Sequence, residues 1–178
     1  MANVVYIACS LDGFIAKPDG NLDWLTNIFN SANSDYGYAH FRERIDGIIM
    51  GKNTFDAVFK FPEWPYMKPV YVLSNSMKKL PFGMEGKAEI VSGGIRKIVE
   101  DLNGKGIKNI YIDGGRTIQA FLKEDLIDEM IITTTSKILG VGIPLFGSIG
   151  IEKVFKIEKV EQLNDFLVKT YYKRVEIN

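Results

Sequence analysis

The apolar residues of this chain occur in short runs that alternate with segments where they recur every three or four positions. Runs rich in β-branched and aromatic residues predict strands, and the three-to-four spacing predicts amphipathic helices. Strands that alternate with helices predict a largely parallel sheet with helices on both faces. The predicted strands lie near residues 3–9, 46–50, 69–73, 88–91, 107–112, 128–135, 152–159 and 165–177. Four helices are predicted: from Asp35 to Arg44 behind a Ser34 cap, from Gly51 to about Phe59, along the face of Ile95, Ile98, Val99 and Leu102, and after Gly115.

The C-terminal end of the chain departs from this alternation, because no helical pattern separates the last two predicted strands. The connector VEQLND between them has the composition of a turn, so these strands should pair as an antiparallel hairpin. The predicted fold class is therefore α/β, with a mostly parallel mixed sheet, flanking helices and an antiparallel C-terminal hairpin. The length of the chain favours a single domain over residues 1–178.

Composition and charge narrow the class of protein. Hydrophobic residues make up 46% of the 178 residues and charged residues 25%, which are ordinary globular values. Lys and Arg total 22, as do Asp and Glu, so no net field favours nucleic acid. No apolar segment reaches the roughly 20 residues of a membrane helix, and the opening MANVVYIACS lacks the basic leader of a signal peptide. These features predict a cytoplasmic protein that binds neither nucleic acid nor a membrane.

Cysteine and histidine each occur once, as Cys9 and His40. A zinc site needs several such ligands, so no metal site of the usual kind is expected. Cys9 has apolar neighbours and is interpreted as a buried structural thiol. The chain also lacks the phosphate-loop motif G-x-x-x-x-G-K-[ST] and the nucleophile motif G-x-S-x-G. Its chemistry should therefore come from a bound cofactor.

Four predicted strands end in segments rich in glycine or serine. The carboxyl ends of parallel strands meet at one edge of a sheet, where α/β folds bind ligands, and the helix N-termini that follow favour anions. Any one such segment is more often a tight turn, whereas four at one edge predict a cradle for the phosphates of a dinucleotide. The segments are GKNT (Gly51–Thr54), LSNSMKK (Leu73–Lys79), VSGG (Val91–Gly94) and DGGRT (Asp113–Thr117).

The segment Leu73–Lys79 indicates which dinucleotide is bound. An enzyme that selects NAD places a carboxylate where the ribose 2′-hydroxyl binds. This segment has only hydroxyl, amide and ammonium groups, which favour a 2′-phosphate. The expected cofactor is NADPH.

Five motifs, in this order, resemble the dihydrofolate reductase-like superfamily: ACSLDGFIAKPDGNLDWL, RERIDGIIMGKNTFDAV, VYVLSN, YIDGGRTIQAFL and LIDEMIITTTSKILGVGIPLF. Within that superfamily the chain looks like the reductase domain of the bifunctional riboflavin-biosynthesis deaminase-reductase and its stand-alone relatives. The resemblance covers essentially the whole chain and implies a three-layer dihydrofolate reductase-like fold. It also implies transfer of a hydride from NADPH to a C=N bond of an aminopyrimidine or pteridine-like substrate, as in 5-amino-6-(5-phosphoribosylamino)uracil reductase. Dihydrofolate reductase activity and a non-catalytic NADPH-binding module are the alternatives.

The resemblance assigns roles to residues of this sequence. Ala8 and Ile15 would border the nicotinamide, and the substrate side would include Trp24, Asp35 and Val58. The remaining cofactor residues would be Gly51, Lys52, Asn53 and Thr54 at the phosphates, Ser74 and Asn75 near the 2′-phosphate, Ser92 at the neighbouring strand end, and Gly114, Gly115, Arg116 and Thr117 under the pyrophosphate.

The proton that accompanies hydride transfer has three candidate sources: Asp35, Asp12 or an ordered water. Asp35 matches the spacing of the folate-binding acid, but a first-turn acid that complements the helix dipole would look the same. Asp12, in SLDG, is either turn chemistry or a substrate-side carboxylate. The chain departs from riboflavin-pathway reductases on the substrate side, where FDAVFKFPEWPYMKP stands in place of the usual Asp-Pro segment. It departs from true dihydrofolate reductase at Asp23, which replaces the proline beside the tryptophan.

The last predicted strand, Asp165–Ile177, has apolar side chains on both faces. Interpreted as the end strand of the sheet, it exposes apolar surface that tends to find a partner. Riboflavin-type reductase domains commonly pair, so a two-fold homodimer through this hairpin is expected. The alternative is a monomer in which Lys169, Lys173 and Glu176 guard the edge.

Overall fold

The computed structural model describes residues 1–26 and 34–175. The strands of this part of the chain are β1 (Ala2–Cys9), β2 (Phe14–Ala16), β3 (Gly47–Gly51), β4 (Val70–Leu73), β5 (Ala88–Val91), β6 (Asn109–Asp113), β7 (Glu129–Thr135), β8 (Ile143–Pro144), β9 (Phe155–Asn164) and β10 (Leu167–Arg174). The helices are α1 (Asp23–Thr26), α2 (Tyr38–Glu43), α3 (Lys52–Phe59), α4 (Ile95–Gly104) and α5 (Gly115–Lys123).

The main sheet has the strand order β5-β4-β3-β6-β1-β7-β10-β9. The six strands from β5 to β7 run parallel, and β10 and β9 continue the sheet antiparallel. Each pair of consecutive parallel strands joined by α3, α4 or α5 is a crossover unit, which buries the helix against the sheet. The predicted α/β class, the mixed sheet and the antiparallel C-terminal hairpin are confirmed.

The side-chain alternation of the buried strands produces two cores and hence three layers. In β6, Ile110 and Ile112 face α4 and α5, and Tyr111, between them, faces α2 and α3. Both faces of these strands are therefore apolar, which is expected of a parallel sheet covered on both sides. The helix residues buried against the two faces are Ile98, Val99, Leu102, Ile118, Phe121 and Leu122 on one side and Phe41, Phe55 and Val58 on the other.

Cys9 ends β1 inside the first of these cores, as predicted for a structural thiol. Burial raises the pKa of the thiol, and a contact with the Thr134 hydroxyl opposes this shift. Among the described residues no helix combines the length and apolarity of a membrane span, and the longest described helix, α4, has 10 residues.

Some predicted strand boundaries are wrong, because pairing with a neighbouring strand, and not local composition, decides where a strand ends. β9 extends through VEQLN to Asn164, because Val160 and Gln162 pair with Thr170 and Val168 of β10. The predicted turn VEQLND is therefore wrong except at its last residue. The short pair β2 and β8 and the single-turn α1 were not predicted, because two to four residues show no period.

The predicted first helix begins later than expected. α2 starts at Tyr38, and Asp35 belongs to the turn before it. The Ser34 hydroxyl accepts the backbone N–H of Tyr36 in that turn, at 3.0 Å, so it caps the turn and not the helix.

The interpretation of the C-terminal strand as the end of the sheet is wrong. β10 lies between β7 and β9, so β9 forms that edge of the sheet. Lys169 is 2% exposed and does not guard an edge. Glu176 and Ile177 lie outside the described residues. On β9, Ile157 is 56% exposed and Val160 is 57% exposed, so the apolar surface expected at the edge belongs to this strand.

We propose a two-fold homodimer that pairs through β9, because an unpaired edge strand with exposed apolar side chains favours association. Light scattering of the full chain should give about twice 20.1 kDa. Val160→Lys should shift the mass toward 20.1 kDa, because a lysine at the edge opposes strand pairing. The control is Met67→Lys, at an exposed site in the loop before β4, which should leave the dimer intact. A wild-type mass near that of one chain would contradict the proposal.

Candidate functional site

Three helix N-termini lie along the carboxyl edge of the parallel strands. Gly51, Gly94 and Gly114 precede α3, α4 and α5, and none of these helices has a side-chain hydrogen bond at its cap. The first N–H groups of an uncapped helix lack an intrahelical acceptor and carry the positive end of the helix dipole. This edge can therefore bind anions at several points.

The starts of α3 and α5 interlock, because β3 and β6 are adjacent strands. A Cβ atom added to Gly114 would overlap the hydroxyl of Thr54, and one added to Gly51 would lie 3.1 Å from the hydroxyl of Thr117. Each glycine thus faces a threonine of the opposite helix. Gly114 also has φ +88°, a conformation that favours glycine. The structure brings these four predicted cofactor residues together in one cradle.

The small sheet of β2 and β8 lies over this cradle. A Cβ atom on Gly115 would lie 2.9 Å from Cδ1 of Ile15 and 3.2 Å from the carbonyl oxygen of Pro144. Gly115 is therefore required by close packing of the protein itself. Ile15, predicted to border the nicotinamide, lies directly beside the start of α5.

The other predicted cofactor residues follow β3, β4, β5 and β6 along the same sheet edge and have varied environments. Lys52 forms an i,i+4 ion pair with Asp56. The Ser74 hydroxyl accepts the backbone N–H groups of Ser76 and Met77 at 3.3 and 3.1 Å, so it closes its own turn. The exposed polar residues along this edge are Asn53, Asn75, Ser92 and Arg116, with Lys78 and Lys79 after β4.

Asp12 joins two loops. Its carboxylate accepts the Ser10 hydroxyl at 2.6 Å and the backbone N–H groups of Leu139 and Gly140 at 3.1 and 2.7 Å. These hydrogen bonds, that from Ser10 first, lower the pKa of the Asp12 carboxyl. Asp12 therefore holds the segment after β1 against the segment before β8, and its catalytic role stays a prediction.

Asp35 has a comparable structural role at the start of α2. Its two oxygens accept the backbone N–H groups of Gly37 at 2.9 Å and Ala39 at 2.8 Å. These bonds, that from Ala39 first, lower the pKa of the Asp35 carboxyl. A carboxyl with a lowered pKa is ionised at neutral pH, and the proton-donor roles of Asp35 and Asp12 stay predictions.

The two other predicted substrate residues differ in position. Trp24 is 3% exposed, and its indole N–H has no hydrogen-bond acceptor among the described residues. A buried donor of this kind fits a residue that hydrogen-bonds a ligand or water. Val58 lies about 6 Å further along α3 than Thr54, at 1.5 Å per residue. It lines a separate pocket with Trp64 and Met84, so the structure does not bring it to the cradle.

Sequence reasoning missed one residue of the site, Asp113. It ends β6 directly before Gly114, whose backbone N–H donates to Oδ1 at 2.8 Å, and the Tyr66 hydroxyl lies 3.4 Å from Oδ2. Burial raises the pKa of the Asp113 carboxyl, and the backbone N–H of Gly114 and the nearby hydroxyls of Tyr111 and Tyr66 oppose the shift. The signal in the sequence was an acid that follows the three buried residues Ile110, Tyr111 and Ile112 and precedes two glycines.

The class of protein follows from this architecture. A mostly parallel sheet between two helical layers, with an antiparallel C-terminal hairpin and glycines at the carboxyl edge, is the dihydrofolate reductase-like fold. The reductase-type structure from Thermotoga maritima, a diaminohydroxyphosphoribosylaminopyrimidine deaminase/5-amino-6-(5-phosphoribosylamino)uracil reductase, has this fold with a TM-score of 0.75 and 16% identity. The match covers 98% of this chain and 56% of that one.

Residues 4–168 match the RibD C-terminal domain, and the chain belongs to this family. A candidate riboflavin-biosynthesis protein from Shewanella sp. PV-4 is 51% identical, with a TM-score of 0.96 over 99% of this chain and 100% of that chain. The uncharacterised protein YwjB of Bacillus subtilis is 36% identical over 174 residues, which are 96% of this chain and 97% of YwjB.

The close contact between the starts of α3 and α5 predicts that two glycine substitutions lower the free energy of unfolding by different amounts. Gly106 has the same φ as Gly114, +88°, but no atom lies within 4 Å of its added Cβ. Gly106→Ala should lower the free energy of unfolding by about 1–2 kcal/mol, the cost of the left-handed conformation. Gly114→Ala should lower it by about 2–6 kcal/mol, because its φ of 88° with ψ of 135° is itself strained by roughly 1–3 kcal/mol and the overlap with Thr54 adds roughly 1–3 kcal/mol. Urea unfolding measures both, and equal losses would contradict the interlock.

Proposed function

We propose that the protein is an NADPH-dependent reductase that transfers a hydride to a C=N bond of an aminopyrimidine, of the kind reduced by 5-amino-6-(5-phosphoribosylamino)uracil reductase. One observation carries the proposal: the interlocked, uncapped starts of α3 and α5 lie directly beside the half-buried carboxyl of Asp113. An anion cradle and a group that can hold a proton are thus adjacent. Membership of the RibD C-terminal domain family supports a reductase.

The donor groups of the cradle fit a dinucleotide. Backbone N–H groups of two helix starts and the exposed guanidinium of Arg116 suit a pyrophosphate. The exposed Asn75, Lys78 and Lys79 after β4 suit a 2′-phosphate. No carboxylate occurs in LSNSMKK, which favours NADPH over NADH. When bound, NADPH supplies a hydride from its nicotinamide.

Asp113 is the best placed of the described carboxyl groups to hold the proton. Its raised pKa keeps it protonated to a higher pH than an ordinary aspartate, whereas Asp12 and Asp35 have lowered pKa values. The backbone N–H of Gly114 orients the carboxyl toward the carboxyl edge of the sheet. Asp113 would deliver its proton to the substrate nitrogen as the neighbouring carbon is reduced.

The substrate class comes from the relatives. The Thermotoga maritima protein is named for an aminouracil substrate, and the Shewanella protein for riboflavin biosynthesis. The indole N–H of Trp24 and the ionised carboxylate of Asp35 supply a donor and an acceptor for such a heterocycle. The proposed partner is therefore a small heterocycle with amino and oxo groups.

The test is NADPH oxidation, followed by absorbance, with 5-amino-6-(5-phosphoribosylamino)uracil and, separately, with dihydrofolate. We expect oxidation with the aminouracil. Oxidation with dihydrofolate alone would replace the proposal with dihydrofolate reductase activity. NADPH binding without oxidation of either compound would replace it with a non-catalytic NADPH-binding module.

Asp113→Asn tests the proton donor. It should lower kcat by roughly 10²–10⁴-fold, the usual contribution of a general acid, and leave NADPH affinity unchanged. The amide also lacks the charge that burial disfavours, so at neutral pH the variant should have a higher Tm than wild type. Because the pKa of Asp113 is raised in the folded protein, the wild type loses stability as the pH rises through that pKa. The gain in Tm should therefore shrink as the pH falls.

Glu63→Gln is the control, since Glu63 is an exposed carboxyl in the loop that also carries Tyr66. It should change neither kcat nor Tm. A wild-type kcat for Asp113→Asn would show that Asp113 is not the proton donor, and the proposed reaction would still stand.

A further inference from the structure

A row of three residues crosses the sheet beside the cradle. Ala8 of β1 pairs with Thr133 of β7, which pairs with Lys169 of β10. Residues that pair across strands have side chains on the same face of a sheet, and Tyr6 of β1 shares that face. Lys169 therefore lies in line with the residue predicted to border the nicotinamide, two strands away.

Lys169 is a buried amine without a carboxylate partner. It is 2% exposed, and Nζ donates to the Tyr6 hydroxyl at 3.1 Å and to the carbonyl oxygen of Tyr36. Among the described residues no carboxylate lies within 4 Å of Nζ, although Asp35 and Glu161 act on it from further away. Burial lowers the pKa of the amine. A buried charge without an ion-pair partner normally costs stability.

Nζ lies 5.3 Å from the centre of the Tyr6 ring, but no other described polar group depends on Lys169 for a hydrogen bond. The Tyr6 hydroxyl already donates to the Tyr36 carbonyl at 3.1 Å, so that acceptor is satisfied without Lys169. Nζ also lies beneath the start of α2, 3.6 Å from the position of an added Cβ on Gly37, where the helix dipole disfavours a cation. Removing the amine should leave no buried polar atom unpaired.

Lys169 is buried, but the residues in its row are partly exposed. Ala8 and Thr133, the neighbours in its row, are each only half-buried, whereas Tyr6 beside the row packs its ring on Phe41 of the core. An ammonium has three N–H donors and no acceptor. The two described acceptors leave one N–H for a ligand.

We infer that Lys169 is a specificity-determining residue that donates a hydrogen bond to an oxygen of the substrate, either a ring carbonyl or a phosphate. The inference rests on the proposed function for the identity of the substrate. Both sources offer the same chemistry, an oxygen acceptor that favours a cation. The position of Lys169, across the sheet from Ala8, assigns it to the part of the substrate away from the nicotinamide.

The test is equilibrium binding to the full chain saturated with NADP⁺. The probes are 6-aminouracil, which has ring carbonyls, and ribose 5-phosphate, which has a phosphate. Lys169→Met should weaken the binding of at least one probe by about tenfold or more, the effect of one charge-assisted hydrogen bond. The probe that is weakened identifies the oxygen. Lys169→Met should leave the affinity for NADP⁺ unchanged and Tm equal or higher.

Lys173→Met, an exposed lysine on the same strand, is the matched control and should change neither probe affinity nor Tm. A lower Tm for Lys169→Met with unchanged probe binding would make Lys169 a structural residue and overturn the inference. Failure of the wild type to bind either probe would also overturn it.

Turnover measurements distinguish a failure of the inference about Lys169 from a failure of the proposed reaction. If the wild type oxidises no NADPH with the aminouracil but Lys169→Met loses probe binding, the proposed reaction fails and Lys169 stands as a ligand contact.

Discussion

The approach of α3 to α5 is the constraint on which the rest of the site depends. Gly51 faces the Thr117 hydroxyl and Gly114 faces the Thr54 hydroxyl, so the two helices begin at adjacent points of the sheet edge. Side chains in place of these glycines would push the two helix starts apart. Ile15 lies beside Gly115 and Asp113 accepts the backbone N–H of Gly114, so both adjoin this contact. The glycines are thus needed by the protein before any ligand is considered.

The face of the sheet that α2 covers combines an apolar core with polar groups at its carboxyl end. Tyr6 stacks on Phe41 with ring centroids 4.5 Å apart, and its hydroxyl meets both Lys169 and the Tyr36 carbonyl. Asp113, an acid, and Lys169, an amine, lie on opposite sides of β1 on this face. Burial favours the neutral form of each, which is unfavourable for folding but useful in a site that must distinguish hydrogen-bond donors from acceptors.

Periodicity predicted the parallel strands and their crossover helices, because long runs such as those of β3 and β6 obey local rules. Periodicity did not predict strands whose ends depend on pairing with another strand. β9 extends through VEQLN because β10 pairs with it, and β2 and β8 are too short to show a period. The cradle was predictable, since glycine marks a strand end. Asp113 and Lys169 were not, because a charged residue in a sequence favours an exposed position, and only the packing of Tyr66, Tyr111 and Tyr6 shows that these two are enclosed.

The buried position of Cys9 has a consequence for handling the protein. It is the sequence's one cysteine, it is 6% exposed, and its raised pKa leaves little thiolate, the form that reacts with alkylating agents and oxidants. The native protein should therefore resist thiol reagents, and the unfolded chain should not. Because Cys9 ends the strand that carries Ala8, labelling of this single sulfur reports the opening of the central sheet beside the cradle, without any engineered probe.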